Sequence, residues 1–196
     1  IHPKEIAVEA GYAYEVIKNF SVSATFKYLF SDMGRIGNSR GASSVAFDLG
    51  VLYKCGINDW EGAGWSVGLH VSNLGPKINY LTSKDALPAT VKVGGAADLP
   101  FLQMHKLTLT ADLGYRLSPV DVQALSVSAG AEYAWRELVM LRGGYHCGDK
   151  KKGDASYATA GAGVEYAGVR LDFAWLFAGH EYLARNTFWV SLGYSF

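Results

Sequence analysis

The chain has 196 residues with 18 basic and 18 acidic side chains, so its formal net charge is zero, which argues against a dedicated binder of nucleic acid or of acidic substrates. It contains 23 glycines, 12 tyrosines and 9 phenylalanines but only 5 prolines, and this composition favours strands over helices. No run of about 18 consecutive apolar residues occurs, which excludes a transmembrane helix, whereas a tilted barrel strand needs only about 9–11 residues with one apolar face.

Apolar and polar residues alternate with a period of two along most of the chain, and each alternating stretch predicts a strand with one apolar face. The clearest stretch runs from Phe20 to Phe30, where aromatic and aliphatic side chains alternate with serine, threonine and lysine. In chain order, eleven strands are predicted over residues 6–14, 20–30, 45–53, 65–71, 88–97, 107–117, 125–135, 138–147, 155–166, 169–177 and 188–196. Glycine and alanine dilute the alternation in the fifth, eighth and ninth of these strands.

Two features of these strands predict a membrane barrel and not a soluble sandwich. The apolar faces often end in aromatic residues, as at Tyr133 and Trp135 or at Tyr194 and Phe196, which matches the aromatic girdles at the two membrane interfaces. The opposite faces carry charges of both signs, which suit a wet lumen, whereas a soluble sandwich has shorter strands and fewer terminal aromatics. The predicted fold class is therefore all-β, a transmembrane antiparallel β-barrel.

The lengths of the connections orient the predicted strands. Tight turns follow odd-numbered strands, at residues 17–19, 136–137 and 167–168. Long connections follow even-numbered strands, at residues 31–43, 74–87, 148–154 and 179–185. Two further turns, 55–63 and 98–104, are longer than typical but keep the same order. Because outer-membrane barrels have short periplasmic turns and longer outside loops, odd strands are predicted to run toward the periplasm.

An odd count of eleven strands places the first residue outside the cell, although bacterial barrels normally have an even count with both ends in the periplasm. We therefore expect residues 1–196 to be the C-terminal part of a single outer-membrane barrel domain whose N-terminal strands are missing. Three further strands would give fourteen in the full protein.

Residues that could carry chemistry form no catalytic or metal-binding motif in the sequence. The five histidines lack the spacing of metal ligands. Neither a nucleophile elbow nor a phosphate-binding loop occurs. Cys55 is predicted at a periplasmic turn and Cys147 at an outside loop, so the thickness of the membrane separates them and they cannot form a disulfide. We therefore expect no enzyme activity, no cofactor and no metal.

Charged residues of the predicted lumen are expected to form ion pairs that line or plug it. The acidic members are Asp112, Glu132 and Asp172, and the basic members are Arg116, Arg136 and Arg170.

Two outside loops, 31–43 and 74–87, are the most distinctive segments. The second is more apolar than a free loop requires, so it either marks a contact surface or folds back onto the barrel mouth. The candidate partner-contact residues in the two loops are Arg35, Ile36, Pro76, Ile78, Tyr80 and Leu81. The lysine run 150–152 lies in another outside loop, either as a solvated tip or as a contact for lipopolysaccharide phosphates.

Several short motifs resemble one family. They are Ser72-Asn73-Leu74-Gly75-Pro76-Lys77-Ile78, Leu87-Pro88, Val93-Gly94-Gly95-Ala96, the opening Pro3-Lys4-Glu5 and Tyr28-Leu29-Phe30-Ser31. Together they look like the signature of PorV-type barrels, also called LptO, of the type IX secretion system of Bacteroidetes. The resemblance covers most of the chain and is strongest over residues 1–97.

This resemblance implies a FadL-like barrel of fourteen strands in the bacterial outer membrane. It implies a non-enzymatic subunit that binds secreted cargo through the cargo's C-terminal signal domain and shuttles it from the translocon to the cell-surface attachment complex. The implied partners are a large translocon barrel of the SprA or Sov type, cargo proteins with a C-terminal sorting domain, PorU-like attachment proteins, and outer-membrane lipid and lipopolysaccharide, but no nucleic acid. The alternative is a FadL-like channel for hydrophobic small molecules, which predicts an apolar pocket in the lumen.

Overall fold

The computed structural model describes residues 4–32, 41–79, 84–179 and 186–195. Their strands are β1 Lys4–Ile17, β2 Phe20–Asp32, β3 Ala42–Gly56, β4 Gly64–Leu74, β5 Ile78–Asn79, β6 Lys84–Asp85, β7 Thr90–Phe101, β8 His105–Arg116, β9 Leu125–Trp135, β10 Val139–Cys147, β11 Tyr157–Tyr166, β12 Val169–Ala178 and β13 Phe188–Tyr194. Two single 3-10 turns cover Val120–Val122 and Lys150–Lys152.

Eleven of these strands form one antiparallel sheet in the order β1-β2-β3-β4-β7-β8-β9-β10-β11-β12-β13. Neighbours in the sheet are thus neighbours in the chain, apart from β5 and β6, which pair with each other between β4 and β7. This confirms the predicted all-β class and the eleven predicted strands, an arrangement consistent with a β-barrel. In this order of the described strands β1 comes first and β13 last, and fourteen strands in the full protein stay a prediction.

Residues with positive φ angles form the tight turns. Arg136 and Glu137 have φ angles of 53° and 57°, and Ala167 and Gly168 have φ angles of 51° and 79°. Two consecutive left-handed residues match the right-handed twist of the strands that they join. The three tight turns predicted from the sequence are therefore confirmed, with Asn19 (φ 71°) in the first of them.

Two connections differ from the sequence prediction. The turn between β7 and β8 is only residues 102–104, because Asp98 continues β7 and accepts a hydrogen bond from Thr108 Oγ1 of β8 (2.7 Å). Lys106 Nζ also lies 3.1 Å from the same carboxylate. Connection 74–87 contains the small β5–β6 ladder, in which Ile78 pairs with Asp85.

On β3 the large apolar side chains are exposed to solvent, and the residues of the opposite, polar face are covered. Phe47 and Leu49 are 49% and 51% exposed, whereas Ser44 and Ala46 on the opposite face are 7% and 0% exposed. A water-soluble protein buries its large apolar residues and exposes its polar ones. An exposed apolar face opposite a covered polar face instead suits a sheet whose outer side contacts lipid.

The chain divides into two compact units. Unit 1 comprises Ile1–Tyr53, Gly68–Val93 and Gly114–Gln123, and unit 2 comprises Lys54–Val67, Gly94–Leu113 and Ala124–Phe196. In the part of the chain that the structure describes, no helix has the length and apolar character needed to cross a membrane.

Candidate functional site

Asn73, at the end of β4 in unit 1, anchors the start of the connection to β7. Its φ angle of 57° lies in the left-handed region, which asparagine tolerates better than most residues. Its backbone N–H donates to Asp48 Oδ1 (2.8 Å), and its side-chain Nδ2 donates to the carbonyl of Pro88 (3.2 Å). Its Oδ1 accepts from Lys27 Nζ (3.4 Å). One residue therefore joins β2, β3 and the chain just before β7.

A partly buried ion pair lies beneath Asn73. Lys27 Nζ of β2 is 2.7 Å from Asp48 Oδ2 of β3, and the two side chains are 15% and 10% exposed. Glu9 of β1 lies farther away at 3.8 Å and is 52% exposed. The Lys27–Asp48 pair is shielded from solvent and further hydrogen-bonded, so losing one partner would leave the other charge uncompensated.

Gly75 and Pro76 pack against the polar face of β3. A Cβ atom on Gly75 would overlap the carbonyl oxygen of Val45 and approach the Cα atom of Ala46. Ser44 Oγ donates to the carbonyl of Pro76 (3.1 Å). Because only glycine allows so close an approach between two backbones, this part of the connection folds back onto the sheet. That contact accounts for the burial of Ser44 and Ala46.

We name residues 73–79 the anchored segment. Of the six predicted contact residues, Pro76 is exposed within it, and Ile78 is half-buried in β5. Arg35, Ile36, Tyr80 and Leu81 lie outside the described residues. The anchored segment is therefore fixed through backbone groups at Gly75 and Pro76, while the ring of Pro76 faces outward.

In unit 2, an ion-pair cluster crosses strands β9 to β12. Arg142 of β10 contacts Glu132 of β9 and Asp172 of β12, and Arg170 Nε donates to Asp172 Oδ2 (2.7 Å). Of the charged residues predicted to pair in the lumen, Asp172 and Arg170 do form an ion pair. Glu132 pairs with Arg142, which was not among the predicted basic residues, and Arg136 does not contact it.

Arg136 instead lies in the turn that follows β9. Its guanidinium carbon is 5.2 Å from the ring centroid of Trp135, and its Nε is 3.1 Å from Met104 Sδ. Strand register explains the difference, because β9 and β10 place Arg142 directly opposite Glu132. Asp112 Oδ1 is buried without a hydrogen-bond partner among the described residues.

A groove lies beside this cluster on the polar face of unit 2. Gly130 of β9 and Gly144 of β10 are opposite each other, and Thr159 is opposite Gly144 on β11. Further lining residues are Thr108, Thr110, Glu132 and Arg142. The glycines leave the space, and threonine hydroxyls and the charges of Glu132 and Arg142 stand around it.

Next to the groove, three polar side chains form a hydrogen-bonded chain. Ser128 Oγ lies 3.0 Å from His146 Nδ1, and His146 Nε2 lies 2.9 Å from Asp154 Oδ1. The ring of His146 also stacks on Tyr157, with centroids 4.8 Å apart. These residues are far apart in the sequence, and the β9–β10 register brings Ser128 opposite His146.

Neither cysteine is bonded, since Cys55 and Cys147 both carry free thiols, as predicted. Among the described ranges, no group of three or more histidine, cysteine, aspartate or glutamate residues is arranged to hold a metal ion. The lysine run forms a 3-10 turn, in which the carboxylate of Asp149 accepts from the N–H of Lys151 (2.9 Å).

Comparison with known proteins identifies the family. No curated protein matches the chain. The family model described as type IX secretion system protein PorV matches residues 1–123, which include β1 to β8 and therefore Lys27, Asp48 and the whole anchored segment. The chain belongs to the PorV family of type IX secretion system proteins.

Proposed function

We propose that this protein is an outer-membrane subunit of the type IX secretion system whose role in secretion is to bind other proteins. It would hold secreted cargo through the cargo's C-terminal signal domain and carry it from the translocon to the cell-surface attachment complex. The match of residues 1–123 to the PorV family is the observation that carries this proposal. The exposed apolar face of the sheet supports an outer-membrane location, because the outward face of a transmembrane barrel is apolar where it contacts lipid.

The proposed partners follow from this role. They are a large translocon barrel of the SprA or Sov type, cargo proteins with a C-terminal sorting domain, and a PorU-like attachment protein. Outer-membrane lipid and lipopolysaccharide would surround the apolar face, and lysines 150–152 would lie near the lipopolysaccharide phosphates. None of these contacts needs a catalytic residue.

We propose that the partner-contact surface consists of Arg35, Ile36, Pro76, Ile78, Tyr80 and Leu81. Pro76 supports this choice, since its ring is exposed although its backbone is fixed to Ser44. A rigid apolar group on an immobilised backbone loses little conformational entropy on binding. The anchored segment would thus present a preorganised contact, to which Tyr80 and Leu81 add apolar area.

The test is affinity purification of the full-length protein from gently solubilised outer membranes, followed by mass spectrometry. The native protein should recover a very large barrel together with proteins that share a C-terminal sorting domain. Pro76→Asp should reduce that recovery about tenfold, which corresponds to about 1.4 kcal/mol of lost binding free energy. Tyr80→Asp and Leu81→Asp should have similar effects.

Ile57→Asp is the matched control, because Ile57 is an exposed apolar residue in the turn between β3 and β4, which follows an odd-numbered strand. Its recovery of partners should equal that of the native protein. If Pro76→Asp behaves like Ile57→Asp, the chosen contact surface is wrong. If the native protein recovers no secretion partner and carries a fatty acid, the channel alternative replaces the shuttle proposal.

A further inference from the structure

We propose that Ser128, His146 and Asp154 form a hydrolytic centre for short-chain acyl esters. In this centre Ser128 is the nucleophile, His146 the general base and Asp154 the residue that positions the base. This activity goes beyond the shuttle role and does not rest on it. The centre lies entirely within unit 2.

The three side chains come from separate elements that fix their positions. Ser128 and His146 are directly opposite on β9 and β10, and Asp154 lies in the connection between β10 and β11. Gly148 permits this arrangement, because a Cβ atom there would overlap the carboxylate of Asp154. The side chains of His146 and Asp154 are 14% and 20% exposed, so both are largely buried but still reach solvent.

When the imidazole of His146 is neutral, hydrogen-bond chemistry gives the direction of each bond. An ionised carboxylate only accepts, so His146 Nε2 carries the proton that it donates to Asp154. The other nitrogen of a neutral imidazole then has a lone pair, and Nδ1 accepts from the hydroxyl of Ser128. This is the protonation state that activates a serine in hydrolases, here with the two ring nitrogens exchanged.

The groove supplies space one row of residues away from the nucleophile. Along β9 and β10 the next pair on the same face is Gly130 and Gly144, about 6.8 Å from Ser128 and His146. Without side chains, this pair leaves room for an acyl group next to the serine hydroxyl. Thr159, opposite Gly144, offers a hydroxyl to polar atoms of the substrate.

The charges at one end of the groove select the substrate class. Its far side is closed by the Glu132–Arg142 ion pair, one further row along the strands. A long alkyl chain would have to lie against these charges and threonine hydroxyls, which is unfavourable. The geometry therefore points to a short acyl group, such as acetyl, esterified to a polar alcohol.

The reaction balances with water as the only co-reactant. Ser128 Oγ bonds to the ester carbonyl carbon while its proton moves to His146 Nδ1. The bond from that carbon to the alcohol oxygen breaks, and the alcohol leaves with the proton from His146. Water then attacks the acyl-serine, gives its proton to His146, and the carboxylic acid leaves as Ser128 recovers its proton.

A fluorophosphonate probe and p-nitrophenyl esters test this proposal on the full-length protein in detergent micelles. The probe should modify Ser128, located by peptide mass spectrometry, and p-nitrophenyl acetate should be hydrolysed faster than the palmitate ester. Ser128→Ala should lose both signals. Ser126→Ala is the matched control, with a serine on the same strand and face, and it should retain them.

Asp154→Asn separates positioning from a merely structural role. In a serine protease, the equivalent loss of the carboxylate lowers kcat about 10⁴-fold, so a large fall in kcat with little change in KM is expected here. Circular dichroism and gel mobility of the unheated protein confirm that each variant is folded. The proposal is wrong if the folded native protein takes up no probe, if Ser128→Ala is labelled equally, or if palmitate is the better substrate. Partner recovery by Ser128→Ala, measured in parallel, reports on the shuttle role independently.

Discussion

Replacing Asp48 with alanine should destabilise the folded protein more than any change to the exposed charges around it. The carboxylate of Asp48 binds Lys27 Nζ at 2.7 Å and the N–H of Asn73 at 2.8 Å. Both charged side chains are at least 85% covered. Removing one member of such a pair typically costs about 3–5 kcal/mol, because the other charge stays desolvated without compensation.

Glu9 reduces this cost without removing it. It lies 3.8 Å from Lys27 Nζ and is half exposed, and such a solvated pair contributes about 0–1 kcal/mol. We therefore expect Asp48→Ala to lower the free energy of unfolding by about 3 kcal/mol, the lower end of the range for buried pairs. Glu9→Gln, which touches the same lysine, is the matched control and should lower it by less than about 1 kcal/mol.

The measurement is urea-induced unfolding of the full-length protein in phospholipid vesicles, followed by tryptophan fluorescence. Adding Lys27→Met to Asp48→Ala should recover about 1–2 kcal/mol, because it removes the uncompensated ammonium group. The reasoning is refuted if Asp48→Ala costs no more than Glu9→Gln. A double variant as unstable as Asp48→Ala would also refute it, since the cost would then not come from the unpaired charge.

The same unfolding measurement checks three further predictions. Gly75→Ala should lower the free energy of unfolding by about 1–3 kcal/mol, because the added Cβ overlaps the backbone of β3. The control Gly193→Ala, whose Cβ would have nothing within 4 Å, should stay within about 0.5 kcal/mol of the native protein. Equal costs for the two variants would contradict the packing of the anchored segment. Leu49→Arg, on the apolar face, should cost about 2–4 kcal/mol in bilayers, and a neutral result would contradict lipid contact there. Arg142→Met should cost about 2 kcal/mol, because it leaves the carboxylate of Glu132 without its partner; no change would show that the cluster contributes nothing to stability.

Sequence patterns predicted the sheet well, because period-two alternation depends only on which face of a strand meets lipid. The eleven strands and the tight turns follow from that alternation and from the positions of the turn residues. Strand ends were harder to place. Asp98 looked like a loop residue, yet its hydrogen bond with Thr108 extends the β7–β8 ladder to Phe101.

The register between β9 and β10 accounts for most of the residue pairs that were not predicted from the sequence. A two-residue turn at 136–137 would set Glu132 opposite Leu141, which is an apolar-face residue. The actual pairing is shifted by one residue and sets Glu132 opposite Arg142, so that polar faces polar. The same shift sets Ser128 opposite His146. A shift of one residue in register moves every side chain of a strand to the other face of the sheet. A rule that polar residues of β9 must lie opposite polar residues of β10 would therefore have identified the pairs Glu132–Arg142 and Ser128–His146 from the sequence.

The structure also gives a physical meaning to the motif that carries the family resemblance. Asn73 suits a left-handed backbone and makes two side-chain hydrogen bonds, and Gly75 is needed for close approach to β3. Both requirements concern how the segment is attached to the sheet and not what it binds. Partner choice would then depend on the side chains that attachment leaves outward, such as Pro76. Substitutions at Asn73 or Gly75 should therefore weaken binding to all partners together, whereas substitutions at Pro76 can distinguish one partner from another.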